Sequence, residues 1–303
     1  MFANNTAGRS GGAIWGNTIV VNTNFINNTS LYDGGAIYSV NLNVNNSSFI
    51  MNNALNGGAI YAGYITIIVD SIFRSNNASN GSAIFTNYTN YDNPIKVINS
   101  SFITNSASFG GAIYNNGILN VNLSNFVSNF ASFGGAIYNG YHNYLTINES
   151  SFTNNNATFG GALYNTGSID LLNSSFTNNA AIDGGAIYND DRLYIINSSF
   201  VDNIGIANGG AIFNKDNYSS INYFNSISIF NSIFINNTAP NGGVVFNNYN
   251  GSVIIHNSSF IANNASFGGV VFNNYNGSVI IDNSSFIANI ANYGGAIYNN
   301  GLL

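Results

Sequence analysis

The stretch SFGGAIYN, residues 108–115, occurs again letter for letter at residues 132–139, 24 residues further on. The pattern behind it is a Gly pair followed by a small residue, an aliphatic residue and an aromatic residue. This pattern recurs along the chain as GGAIW, GGAIY, GGALY, GSAIF, GGAIF and GGVVF. Self-similarity at a nearly fixed spacing is the sequence signature of a repeat architecture, so the repeat is the unit from which the fold is predicted.

A second motif, Phe-x-x-Asn, stands eight or nine residues before each Gly pair. The two motifs together mark twelve repeats that follow one another without interruption from Phe2 onward. The asparagines of this motif from the second repeat onward are Asn28, Asn52, Asn76, Asn105, Asn129, Asn155, Asn179, Asn203, Asn237, Asn263 and Asn289. Because an amide at the same place in every repeat can hydrogen-bond to its copies above and below, these residues predict a structural asparagine ladder.

Each repeat contains short alternating runs that are rich in β-branched and aromatic residues and are broken by Gly and Asn. These are strand and turn signals, and no segment has the pattern of a long helix. The sequence therefore predicts an all-β fold, a right-handed parallel β-helix (solenoid) of about twelve coils with roughly 24 residues per coil. Coils stacked at ~4.8 Å would make a rod about 55 Å long.

The repeats indicate one continuous array over residues 1–303 rather than two ordinary domains. Repeat arrays need atypical capping units at their ends, and neither end of this chain shows one. We therefore expect a segment of a longer protein with both ends uncapped, whose export signal and anchor lie elsewhere.

Charge is scarce, since only 5% of the residues are Asp, Glu, Lys or Arg and the net charge is -6. The five Lys and Arg residues form no basic surface, which argues against nucleic acid as a partner. No apolar stretch approaches the ~18 to 20 residues that span a bilayer, so we expect no membrane insertion by this segment. Cysteine is absent, and no motif calls for a metal or another cofactor.

The aliphatic residue after each Gly pair is expected to face inward, which places the next residue, an aromatic one, on the outside. The resulting column comprises Trp15, Tyr38, Tyr61, Phe85, Tyr114, Tyr138, Tyr164, Tyr188, Phe213, Phe246, Phe272 and Tyr298. We take Tyr114, Tyr138, Tyr164 and Tyr188 as ligand-binding candidates because an exposed aromatic strip can stack on sugar rings. The opposite register, with rings in the core and aliphatic residues outside, stays open at this point.

Extra residues follow this aromatic in several repeats, and insertions at one place in each coil project from one edge of the rod. Such an edge is often the binding face of a repeat protein, although surface loops also tolerate insertions without any function. The further ligand-binding candidates in these segments are Tyr88, Tyr91, Tyr141, Tyr144, Tyr218, Tyr249 and Tyr275.

The only dense group of charged residues comprises Asp183, Asp190, Asp191, Arg192, Asp202, Lys215 and Asp216. Asp190 to Arg192 and Lys215 to Asp216 are expected at one turn on adjacent coils. Such a group could hold a substrate carboxylate or a metal, but opposite charges on a surface turn more often form solvated ion pairs. We assign no catalytic residue and no metal ligand.

The paired motifs GGA-[ILV] and Phe-x-x-Asn resemble the repeat signature of chlamydial polymorphic outer membrane proteins. They are also similar to the adhesin-like, Asn-rich repeat proteins of methanogenic archaea. The resemblance covers Phe2 to Ile297, and it implies an exported, cell-surface protein with a role in adhesion. The chlamydial proteins carry cysteines and a C-terminal membrane barrel, which this sequence lacks, so the archaeal type is the closer match in style.

Three functions follow from these observations. The first is a non-catalytic adhesin-like protein at the cell surface or in the cell wall, which attaches to host or neighbouring cells, glycans or cell-wall polymers. The second is a carbohydrate-active β-helix enzyme, a polysaccharide lyase or hydrolase, with the charged group as its site. The third is a passive spacer.

Overall fold

The fold is described from a computed structural model over residues 1–87, 93–215 and 226–301. Three parallel strand systems wind around one axis as a β-solenoid of about eleven turns with roughly 25 residues per turn. Equivalent residues of neighbouring coils are 23 to 34 residues apart in sequence. The prediction of an all-β parallel solenoid is confirmed. The number of turns is one fewer than the number of repeats, because twelve stacked strands are connected by eleven turns of the chain.

The first system, the Phe sheet, is formed by the strands that contain the Phe of Phe-x-x-Asn. Its twelve members pair in chain order, and Phe pairs with Phe at every step, as between Phe126 and Phe152. The strands are Phe2–Ala3, Asn24–Ile26, Ser48–Ile50, Ile72–Arg74, Ser101–Ile103, Asn125–Val127, Ser151–Thr153, Ser175–Thr177, Ser199–Val201, Ile233–Ile235, Ser259–Ile261 and Ser285–Ile287.

The second system, the Ile sheet, follows the Gly pair and has two rows of strands. The first row is Ile14–Trp15, Ile37–Asn45, Ile60–Val69, Ile84–Thr86, Ile113–Asn115, Ile137–Asn139, Leu163–Asn165, Ile187–Asn189, Ile212–Asn214, Val245–Asn247, Val271–Asn273 and Ile297–Asn299. The second row is Thr18–Val21, Ile95–Ile98, Ile118–Asn122, Tyr144–Asn148, Ser168–Leu172, Leu193–Ile196, Ser226–Phe230, Ser252–His256 and Ser278–Asp282. The strands 37–45 and 60–69 run through both rows.

The third system, the side sheet, lies between the Phe-x-x-Asn turn and the Gly pair. Its strands are Thr6–Ala7, Thr29–Ser30, Phe130–Phe133, Asn156–Phe159, Ala180–Asp183, Ile204–Asn208, Asn264–Phe267 and Ile290–Tyr293. Single bridges, such as Asn53 with Asn77, continue the stack between them. Among the described residues there is no helix, so none could span a membrane.

The core is a set of stacked side chains that come from the two larger sheets. The Phe of each Phe-x-x-Asn motif is fully buried from Phe25 to Phe260, and neighbouring rings such as Phe126 and Phe152 stack with centroids 4.7 Å apart. Facing them are the aliphatic residues after the Gly pair, including Ile113 and Ile137, which are also fully buried. Each coil therefore contributes an aromatic and an aliphatic layer, and burying this apolar area is the main driving force of the fold.

The predicted asparagine ladder is confirmed and is saturated with hydrogen bonds. Asn155 illustrates one step: its side-chain amide donates to Oδ1 of Asn179 at 3.0 Å and to the main-chain oxygen of Phe126 at 3.0 Å. Its own Oδ1 accepts from the main-chain and side-chain nitrogens of Asn129, both at 3.0 Å. All four hydrogen-bonding positions of the amide are used, so each ladder asparagine ties three coils together.

The Gly pair is explained by backbone geometry. The first glycine has a positive φ, as at Gly134 with φ of 65°, and a Cβ on the second, Gly135, would collide with the main-chain oxygen of Gly161 in the next coil. A side chain is therefore strained at one position and excluded at the other.

Candidate functional site

The corner between the two rows of the Ile sheet is lined by a second buried asparagine ladder, which we call the corner ladder. It comprises Asn115, Asn139, Asn165, Asn189, Asn214, Asn247 and Asn273, and it ends at Asn299, which is exposed. Asn139, for example, donates to Oδ1 of Asn165 at 2.8 Å. These amides also bond to main-chain groups of the segment that follows, as Asn247 does to the oxygen of Gly251 at 2.7 Å. The corner ladder therefore holds the edge from which the insertions project.

Three of the candidate tyrosines stand on turns at this edge. Tyr141, Tyr249 and Tyr275 are 70%, 47% and 62% exposed, respectively. The last two turns are stacked copies of each other, because the side chain of Asn274 donates to that of Asn248 at 3.0 Å. The fold therefore presents exposed phenol rings on a backbone that is fixed from beneath.

The aromatic column lies on the outside of the Ile sheet, and the neighbouring aliphatic residues face the core. Trp15 at one end is 71% exposed, Tyr114, Tyr138 and Tyr164 are half-buried, and Tyr188 is only 7% exposed. Successive rings stack on each other, with centroids 4.8 Å apart for Tyr114 and Tyr138. Because neighbouring rings cover each other's faces, the column presents ring edges rather than ring faces to solvent.

A second set of outward rings covers part of this column from the side sheet. Phe109, Phe133 and Phe159 stack on one another, and each meets the edge of a column tyrosine in the next coil. Phe133, for example, lies 5.3 Å from Tyr164 with the rings nearly perpendicular. Burial in this packing raises the pKa of Tyr164 to about 12, with further contributions from nearby Asp190 and Tyr138. Where these phenylalanines cover the column, its rings stabilise the fold by packing against one another, and only part of their surface remains open to solvent.

The second row of the Ile sheet carries a polar cluster on its outer face. We define this polar cluster as Tyr144, Asp170, Asp190, Asp191, Arg192 and Lys215. The carboxylate of Asp170 accepts hydrogen bonds from the hydroxyl of Tyr144 and from the guanidinium of Arg192, the latter at 2.6 Å. The guanidinium carbon also lies 6.0 Å from the centre of the Tyr144 ring. Tyr144, Asp170 and Arg192 thus come from three successive coils and meet at the Asp170 carboxylate.

The other members of the polar cluster lie on the adjoining turns. The ammonium of Lys215 is 3.3 Å from the carboxylate of Asp190, whose side chain is nearly buried. The carboxylate of Asp191 accepts a hydrogen bond from the main-chain nitrogen of Arg192 at 2.8 Å. Burial raises the pKa of Asp191, while His142 and Arg192 partly offset this effect. Of the predicted charged group, the structure therefore brings together Asp190, Asp191, Arg192 and Lys215.

The remaining predicted residues are placed elsewhere or lie outside the described residues. Asp183 is at the end of a side-sheet strand, where its carboxylate accepts a hydrogen bond from Asn208 at 2.7 Å, and burial raises its pKa. Asp202 follows a Phe-sheet strand in a left-handed conformation. Four further predictions, on Tyr88, Tyr91, Asp216 and Tyr218, fall outside the described residues.

Sequence reasoning missed two features of this edge. Asp170 was not a candidate, because it is a single acid in the run GSIDLL and its partners are 22 and 26 residues away. The corner ladder was also missed, although an Asn directly after each aromatic from Tyr114 onward was the available signal.

The fold and its ladders define a parallel β-solenoid repeat protein with a tyrosine-bearing edge. Residues 1–17, 22–40, 149–166 and 173–190 match the family model of the Chlamydia polymorphic membrane protein repeat. These four segments therefore match repeats of the polymorphic membrane protein type. No curated protein and no solved structure matches the chain.

Proposed function

We propose that this protein is a non-catalytic surface adhesin that attaches to cells, glycans or cell-wall polymers through the tyrosine-bearing edge. The observation that carries the proposal is the position of Tyr141, Tyr249 and Tyr275 at exposed turn tips on one edge of the rod. A phenol ring gives a large contact area at low cost in conformational entropy, which suits it to binding. Location at the outer membrane or the cell surface belongs to the same proposal and is supported by the repeat family.

The architecture supports this role because binding groups and stabilising groups are separate. Both asparagine ladders and the Phe and Ile layers are buried, so the residues at the turn tips are free to vary without disturbing the core. Similar turns recur along the rod, as at Tyr249 and Tyr275, and repeated weak contacts raise the overall avidity when several engage together.

The test is adhesion of the folded protein to cells and to immobilised polysaccharides. A variant that combines Tyr141→Ala, Tyr249→Ala and Tyr275→Ala is expected to lose most of its retention while it keeps its unfolding midpoint. The matched control combines Tyr32→Ala and Tyr293→Ala, which remove exposed tyrosines from other parts of the rod. Equal retention of the two variants would contradict the proposal.

The enzyme alternative is tested in the same experiment through the products. In the polar cluster each cation already contacts a carboxylate, Arg192 with Asp170 and Lys215 with Asp190, as in a structural ion-pair network. We therefore expect the polysaccharides to be recovered at their original length. If the polysaccharides are shortened by the unaltered protein but not by the Asp190→Asn and Asp191→Asn variants, the protein is a carbohydrate-active enzyme and not a non-catalytic adhesin.

A further inference from the structure

The polar cluster stands out because the rest of the outer surface carries so few charges. The whole sequence has five Lys and Arg and eleven Asp and Glu residues. Asp170, Asp190, Asp191, Arg192 and Lys215 nevertheless lie on three successive coils, on one side of the same corner. At the positions that match Asp170 the following coils hold Tyr194, Ser228, Ile254 and Ile280, and an earlier coil holds Lys96. The cluster is thus a local concentration of charge on a surface that carries few charges elsewhere.

We propose that the polar cluster, together with Tyr141, is a binding site for a neutral saccharide chain with neighbouring hydroxyl groups. This inference rests on the proposed adhesive function and names its ligand class and its main site. Sugars are recognised by planar polar side chains that bond to adjacent hydroxyls and by an aromatic ring that contacts the C–H face of the sugar.

The Arg192 and Asp170 pair supplies the planar polar groups. A guanidinium has five N–H donors in one plane, and the Arg192 side chain remains 44% exposed after its contact with Asp170. The Asp170 side chain is 25% exposed, and its carboxylate is held between Tyr144 and Arg192. A donor fork and an acceptor therefore stand side by side at the surface, already fixed before a ligand arrives, which lowers the entropic cost of binding.

The neighbouring turn supplies the aromatic surface. Tyr141 is 70% exposed, and its ring centre lies 3.7 Å from that of His142, which itself influences the pKa of Asp191. Main-chain bonds join this turn to the next coil, because the nitrogen of Ser168 donates to the oxygen of Asn143 at 2.9 Å. The turn that bears the ring therefore belongs to the same stack as the polar groups, one coil before Asp170.

The charge balance selects a neutral ligand. Asp170, Asp190 and Asp191 outnumber Arg192 and Lys215 within the cluster, and the whole chain carries a net charge of -6. An acidic polysaccharide would meet like charges both at the site and along the rod, which disfavours its approach.

The experiment measures binding of the whole protein to neutral tetrasaccharides of glucose, xylose, mannose and N-acetylglucosamine by titration calorimetry, with a uronic acid tetrasaccharide beside them. At least one neutral ligand is expected to bind. Arg192→Gln, Asp170→Asn and Tyr141→Ala should each weaken that binding by about tenfold or more, since each removes a charge-assisted bond or a ring contact. The pair is partly exposed, so these changes should leave the unfolding midpoint nearly unchanged.

The matched control is Tyr293→Ala, which removes an exposed ring from the side sheet in the last coil, away from the charged pair. Its affinity should equal that of the unaltered protein. Binding that is insensitive to Arg192→Gln and Asp170→Asn, or binding of the uronic acid ligand alone, would overturn the site. If cells retain the protein but no neutral saccharide binds, this inference fails while the adhesive function stands. Absence of retention on every surface would instead remove the adhesive function.

Discussion

The corner after the aromatic column is built in two ways in one molecule. In the first four repeats it holds Gly16, Ser39, Ala62 and Thr86, whereas every later repeat places an asparagine there. In the second and third repeats the chain passes through the corner as one continuous strand, Ile37–Asn45 and Ile60–Val69. In the later repeats the strand stops at the Asn and resumes after a turn.

The difference shows what the corner ladder does. A buried amide that bonds along the stack and also to the main chain of the turn lets the chain leave the sheet and return. Residues can then be inserted at the corner without loss of register, as at Tyr141, Tyr249 and Tyr275. Where Ser39 and Ala62 stand instead, the strand continues through the corner. The strand does end at Thr86, whose hydroxyl donates to Oδ1 of Asn115 at 3.0 Å, and it also ends before Gly16 in the first repeat. The edge with the exposed turn tyrosines therefore rests on a buried ladder of hydrogen-bonded side chains.

The Phe-x-x-Asn ladder is common to both regions, and removing one of its amides is the largest perturbation we predict. Asn52→Ala and Asn155→Ala each break four side-chain hydrogen bonds and leave buried main-chain and side-chain groups without partners. We expect a loss of about 4 kcal/mol in the free energy of unfolding, equal in the two regions, by denaturant titration. A much smaller loss at either site would mean that the ladder does not carry the stability assigned to it.

The corner ladder distinguishes the two regions, so its removal should do so as well. Asn165→Ala should lower the free energy of unfolding by about 2 to 3 kcal/mol, because Asn139, Asn189 and the oxygen of Arg192 lose their partner. Ser39→Ala removes one bond, from Ser39 to the oxygen of Asn41, and should cost about 1 kcal/mol. The comparison requires equal protein and denaturant conditions, and equal losses at both sites would contradict a special role for the later corner.

A smaller effect of opposite sign is expected at Thr66 in the continuous strand. This side chain is fully buried, and its hydroxyl has no hydrogen-bond partner among the described residues. Thr66→Val should raise the free energy of unfolding by about 1 kcal/mol, since it removes an unsatisfied polar group at nearly constant volume. Val97→Thr, at a buried position of the next repeat, should lower the free energy of unfolding by a similar amount. A destabilising Thr66→Val would show that the hydroxyl is satisfied.

The repeated part of this fold could be predicted from the sequence because every copy repeats the same physical requirement. A Phe and an Asn at constant spacing have to face the same core and the same turn in each coil, so the layers and the Phe-x-x-Asn ladder follow directly. Gly134 and Gly135 likewise reveal a turn that excludes side chains.

The site was harder to predict because it consists of departures from the repeat. Asp170 meets Tyr144 and Arg192 only through the register of the second-row strands, which depends on insertions of different length before each of them. The edge-to-face packing of column rings against Phe133 and its neighbours depends on the angle between the side sheet and the Ile sheet. Neither the strand register nor the angle between the sheets can be read from the spacing of the motifs. The sequence therefore identified the tyrosines as candidates but could not predict how exposed each one is.

The most direct test is to pass the folded protein over immobilised polysaccharides and intact cells and to analyse what is retained and what is released. We expect retention on at least one surface, recovery of the polysaccharides at their original length, and loss of retention when the turn tyrosines are removed. Shortened polysaccharides in the eluate, or no retention on any surface, would contradict the claim that this rod is an adhesin.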